Sequence, residues 1–172
     1  MAVTETAGAL ESAVDGAGVE VFSTPNGGGV RVNAGAILDV LRFLRDDPDQ
    51  LFNQLTDLTC IDREAADGIF EIIYVLRSLS SGRRLIVKTT VPASDPTVAS
   101  ACELWPAANW PEREAWDLFG VRFEGHPDLR RILMYDEFEG HPLRKSYPYN
   151  KRQPLVPERD PIVDPWPLRT PE

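Results

Sequence analysis

Cysteine is nearly missing from this chain, which has two among 172 residues. Cys60 and Cys102 lie in different segments with no CxxC spacing, so the sequence offers neither a disulfide framework nor the thiolate set of a zinc or iron–sulfur site. A reducing compartment is expected. No apolar run approaches the roughly 20 residues of a membrane-spanning helix. The acidic opening MAVTETAGALESAVDG lacks the basic start of a signal or transit peptide. With no basic amphipathic helix or lipidation motif either, any contact with a membrane is expected to be indirect, through partners. Positive charge is also short: 18 Lys and Arg stand against 27 Asp and Glu, a net charge of −9. Nucleic acid is therefore not an expected partner, because affinity for it depends on cations that neutralise phosphates. There is no GxGxxG after a strand, no P-loop, no HExxH and no nucleophile elbow.

What is present reads as one α+β domain. Residues 1–18, small and polar, read as a flexible leader or a short frayed helix. Val19–Thr24 and Val30–Val32 flank Pro25-Asn26-Gly27-Gly28-Gly29 as a hairpin, and Asn33 is placed to cap a helix over about 34–45. That helix carries Ile37, Val40, Leu41 and Leu44 on one face and ends before Pro48. Strands are expected at Leu55–Asp62, Ile69–Ser78 and Arg83–Val91, the last two joined by a Ser78–Gly82 loop. Asp95-Pro96 reads as the start of a second helix to about Trp105. A third helix of about nine residues should begin at Pro111, with Glu112 and Glu114 at its positive end and Gly120 just past its last residue. The fold class is α+β: a mixed sheet of about four to five strands, packed helices and an extended proline-rich C-terminal arm. The domain spans 19–148 and the arm 149–172. Eight of the 15 prolines fall in the last 31 residues, yet apolar side chains recur among them. That composition suits an arm laid along a partner better than a solvated linker.

The two histidines, His126 and His141, each sit in a copy of FEGHP, at 123–127 and 138–142, and a leucine-plus-base strip follows each copy. Charge is dense and balanced here, with eight cations and eight carboxylates in residues 112–152. Glu112, Arg113, Glu114 and Asp117 crowd one helix, with Arg113 and Asp117 at i,i+4 spacing, and Arg130, Arg131, Arg144 and Lys145 supply cations downstream. A salt-bridge network is the plain reading. A metal-dependent hydrolase would recruit both histidines with nearby carboxylates. That spacing is poor, and a histidine before proline, as at Pro127, better suits a turn in which the ring bonds a backbone carbonyl. Trp105, Trp110 and Trp116 read as core or interface packing rather than a cofactor stack.

Residues 112–148, EREAWDLFGVRFEGHPDLRRILMYDEFEGHPLRKSYP, resemble the signature of the C subunit of NADH-quinone oxidoreductase, the thirty-kilodalton subunit family of respiratory complex I. Glu112, Arg113, Glu114, Asp117, Leu118, Phe119, Gly120, His126, Pro127, Arg131, Ile132 and Leu133 follow the family's order, and Gly140 through Lys145 extend the match. Tyr135 and Ser146 depart from it, where proline and aspartate are usual. With no large domain after Pro148, the form fused to the adjoining D subunit is not expected. The resemblance implies a non-catalytic member of the peripheral arm beside the D subunit, helping to assemble the quinone-reducing module on the cytoplasmic face of a bacterial inner membrane. It implies no cofactor and no metal on this chain, with FMN and iron–sulfur clusters held elsewhere in a complex that passes electrons from NADH to quinone and translocates protons. Docking would then fall to Glu112, Arg113, Glu114, Asp117, Gly120, His126, Pro127, Arg130, Arg131, His141, Arg144 and Lys145. The related alternative is the equivalent subunit of a membrane-bound hydrogenase or another quinone-linked dehydrogenase.

Overall fold

A computed structural model describes residues 3–24 and 27–156. Its centre is a five-stranded mixed sheet in the order β1-β2-β5-β4-β3. These strands are β1 (Glu20–Thr24), β2 (Gly27–Val32), β3 (Gln54–Arg63), β4 (Ile69–Arg77) and β5 (Arg84–Pro92). All neighbours pair antiparallel except β2 and β5, which run parallel. The alternation expected of β5 is what orients the sheet. Leu85, Val87, Thr89 and Val91 are buried beside Phe70, Ile72, Tyr74 and Leu76 of β4, while Ile86, Lys88 and Thr90 sit on the more open face.

The helix α2 (Ile37–Asp46) buries Ile37, Val40, Leu41 and Leu44 completely. Each such side chain contributes about 1.5–3 kcal/mol of transfer free energy. The turn before it, Ala34–Ala36, is 3-10. Asn33 does not cap it with its side chain, whose amide donates instead to the Gly16 carbonyl at 2.8 Å. This bond helps hold the N-terminal segment in place. Residues 1–18 are accordingly not a loose leader throughout: α1 (Val3–Ala13) packs with Leu10 fully buried and Ala7 nearly so.

Two further expectations are corrected. Gly27–Gly29 belong to β2 rather than to the hairpin turn, and Gly29 is glycine because the Phe22 ring and the Ile86 carbonyl occupy the space of a side chain. The helix expected from Asp95 does not form. Thr97–Ala99 is a strand, β6, which pairs parallel with β7 (Arg122–Glu124). The Thr97 hydroxyl bonds Asp95 at 2.8 Å and Arg122 N–H donates to the Pro96 carbonyl at 2.7 Å, so tertiary pairing overrides the helix-start signal. The four-residue turn α3 (Glu64–Asp67) links β3 to β4. The last helix, α4 (Asn109–Phe119), packs against β3 and is two residues longer at its start than Pro111 suggests. Of the expected arm, residues 149–156 are described, with Tyr149 and Leu155 fully exposed. The remainder lies outside the described residues.

Candidate functional site

The signature block is built around α4. A 3-10 turn at Pro106–Ala108 feeds it, Pro111 and Glu112 lie in its first turn, and Gly120 ends it in the left-handed region at φ 78°. Glu112 is fully buried. Its carboxylate accepts from the Ser100 hydroxyl at 2.6 Å, the Ala101 N–H at 2.7 Å and the Cys102 thiol at 3.5 Å. The start of α4 is thereby fastened to the chain just after β6. Burial pushes the Glu112 carboxyl above its ordinary value, and the hydrogen bonds only partly offset this.

Asp117, also fully buried, is the second anchor. One oxygen accepts from Arg131 at 2.6 Å, and the other accepts the backbone N–H groups of Ile132, Leu133 and Met134 at 3.1, 2.9 and 2.8 Å. Burial alone would raise its pKa, but these four donors outweigh it and hold the carboxyl below the usual range. Arg131 also donates to the carbonyls of Phe138 at 2.6 Å and Gly140 at 3.1 Å. Its guanidinium stacks over Trp116 and Phe138. A single ion pair thus gathers the helix, the 132–134 arch and the second FEGHP turn.

The two FEGHP copies hold opposite ends of this one helix. A carbonyl can only accept, so His126 Nε2 donates to Asn109 at 3.1 Å, at the start of α4, while its Nδ1 accepts from Asp128 N–H at 3.0 Å. His141 Nδ1 donates to the Asp117 carbonyl at 2.9 Å. The next two carbonyls are also taken, that of Leu118 by Leu143 N–H at 3.0 Å and that of Phe119 by Arg144 Nε. With Gly120 N–H on Trp116, the four carbonyls that a helix C-terminus ordinarily leaves open are all satisfied. The Arg144 cation sits at the negative end of the helix dipole. A side chain at Gly120 would strike His141 and Arg144.

Several of these residues pair differently than their spacing suggests. Arg113 does not pair with Asp117; it donates to the carbonyls of Arg130 and Arg131 at 3.1 and 2.9 Å. Glu114 is exposed, Arg130 makes a surface pair with Asp128, and Pro127 is exposed within the first turn. Lys145 contributes its backbone N–H, which donates to buried Asp62 at 2.6 Å. Ser100, Ala101 and Asp62, partners supplied from the middle of the chain, carry no signal in the motif itself.

The histidine pair of a hydrolase is not brought together. Its anchors on α4 are eight residues apart, about 12 Å of helix rise. His126 instead lies near Cys102 and Glu112, with ligand atoms within 4.8 Å of one another. Those atoms are engaged: both His126 nitrogens bond backbone groups and Glu112 holds three donors. Burial pushes the Cys102 thiol up to about 11.

This arrangement defines an α+β domain whose charged motif is a clamp between segments of its own chain. Residues 30–153 match the family model of the respiratory-chain NADH dehydrogenase 30 Kd subunit. The NADH-quinone oxidoreductase C subunit of Roseiflexus castenholzii is 46% identical over 119 residues, covering 69% of this chain and 68% of that protein. Among solved structures, a trypsin-resistant fragment (1–134) of Nqo5 superposes with TM-score 0.62 at 31% identity, over 74% of this chain and 96% of that one. The corresponding chain in a membrane-bound sulfane sulfur reductase, an archaeal respiratory membrane complex, superposes with TM-score 0.68 at 26% identity, over 86% and 84%. The chain belongs to the respiratory-chain NADH dehydrogenase 30 Kd subunit family. It is a subunit of an NADH-quinone oxidoreductase complex, and among its described residues no helix is long and apolar enough to cross a membrane.

Proposed function

We propose that this chain is a structural subunit that carries no catalytic residue and no redox group of its own, seated in the peripheral arm beside the D subunit, on the cytoplasmic face of a bacterial inner membrane. FMN and iron–sulfur clusters belong to other subunits, and the C-terminal arm extends along a neighbour. The observation that carries this reading is the disposition of the signature. Glu112, Asp117, Arg131, His126, His141 and Arg144 are all committed to intramolecular bonds that shape the domain, which leaves none of them poised toward a substrate. Two cysteines are also too few to supply the four thiolates that an iron–sulfur cluster takes. Purification of the tagged chain from membranes, with cross-linking and mass spectrometry, tests it. The D subunit should yield the nearest cross-links, and a flavin and iron–sulfur clusters should co-purify on other chains; a cluster or flavin that stays with this chain after dissociation would overturn the reading.

A further inference from the structure

Between the start of α4 and the 132–134 arch lies a groove of about 640 Å³. Pro106, Trp110 and Pro111 line it together with Ile132 and Leu133, and Glu114 is the one acidic residue of the lining. Trp110 is 70% exposed and Leu133 57% exposed. Neither can collapse away from water easily. Trp110 stands on the first turn of a helix clamped at both ends, and the Leu133 backbone is pinned to buried Asp117 at 2.9 Å. Large apolar side chains held open on rigid backbone are the usual anchors of an interface, since the backbone is already ordered and only side-chain freedom is lost on binding. Glu114, one helical turn beyond Trp110, forms no hydrogen bond or ion pair among the described residues, in a chain that is already strongly acidic.

We propose that this groove receives a short segment of a neighbouring subunit of the same complex, in which a bulky apolar side chain enters between Trp110 and Leu133 and a lysine or arginine meets Glu114. Trp110 and Glu114 are i,i+4 neighbours, about 6 Å apart. The complementary pair is thus spaced three or four residues apart on a helix, or two along a strand. A cation is required because a carboxylate covered by an apolar segment without one would be desolvated and unpaired. The inference rests on the assembly reading above.

The test uses the assembled complex carrying Leu133→p-benzoylphenylalanine, irradiated, digested and sequenced. The expected adduct is a peptide of another subunit with Lys or Arg at that spacing from the cross-linked residue. Glu114→Lys should weaken retention of this subunit in the complex, and reversal of the partner cation to Glu should restore it. Trp110→Ala should weaken retention about thirtyfold while the isolated domain melts as wild type. The proposal is overturned by an adduct with a second copy, with residues 157–172 of this chain or with a segment lacking the cation. It is equally overturned if a complex that assembles normally gives no adduct. If the wild-type chain recovers no other subunit, the assembly reading falls and this proposal with it.

Discussion

His126 and His141 hold the two ends of one 11-residue helix, the first donating to the Asn109 carbonyl and the second to that of Asp117. The repeated FEGHP is thus a pair of clamps on α4. Because the second copy satisfies the last open carbonyls of the helix, His141→Ala should free the C-terminal turn of α4 and cost about 1–3 kcal/mol. Amide hydrogen exchange at residues 116–120 should accelerate more than exchange in β4. Uniform acceleration throughout the sheet would contradict a local clamp.

Asp117 carries the arch. Asp117→Asn turns one acceptor oxygen into a donor that faces either Arg131 or three backbone N–H groups, and it leaves the guanidinium without its counter-charge. A loss of about 3 kcal/mol is expected in chemical denaturation. A loss under about 1 kcal/mol would mean that the arch is held by something else.

Every group bonded to Glu112 is a donor, so Glu112→Gln presents its amide to at least one of Ser100, Ala101 and Cys102. We expect about 2 kcal/mol of destabilisation. Glu112→Gln with Ser100→Ala should lose less than the sum of the two single changes, because the partners are shared. Additive losses in a double-mutant cycle would contradict the contact.

Gly120→Ala should cost more than the ~1 kcal/mol penalty typical of the left-handed region. The new methyl group also meets His141 and Arg144, both of which hold the helix end. Thermal melting of the purified domain measures the loss; a variant as stable as wild type would show that the cap is not needed.

Acid should weaken the clamp. Burial first, and then Arg144 and Arg131, hold His141 below its ordinary value, against the opposing bond to Asp117. The unfolded chain therefore takes up this proton before the folded one does, and stability falls as pH drops through about 6.5. Asp117, held low, adds a loss of the same sign as pH falls below about 3.9 toward its depressed value. Glu112, held high, acts with the opposite sign: the folded form accepts its proton first, so it adds stability as pH falls toward about 4.3 and brings no further change below that. Denaturation midpoints between pH 7.5 and 5.5, window limits set at roughly one unit about the histidine value, should decline in wild type and flatten in His141→Gln. Parallel slopes would contradict the assignment.

The central strands, α2 and the end of α4 were legible because their signals are local: period-two alternation in Leu85–Val91, an apolar face at Ile37–Leu44, and a glycine at the left-handed position after Phe119. Thr97–Ala99 was not, because its pairing with Arg122–Glu124 is a long-range event that the Asp95-Pro96 signal contradicts. Within the motif the composition was informative and the connectivity was not. Helical spacing suggested Arg113 for Asp117, whereas the preferred cation, Arg131, comes from 14 residues downstream and brings its own loop with it. Trp110 and Leu133, far apart in sequence, become one groove only once that loop is pinned.

The most direct test of a structural rather than catalytic role is NADH:quinone turnover per assembled complex in Asp117→Asn. The account predicts fewer assembled complexes on a native gel, with wild-type turnover in each one that forms. Full assembly with turnover lost would place Asp117 in the chemistry and contradict it.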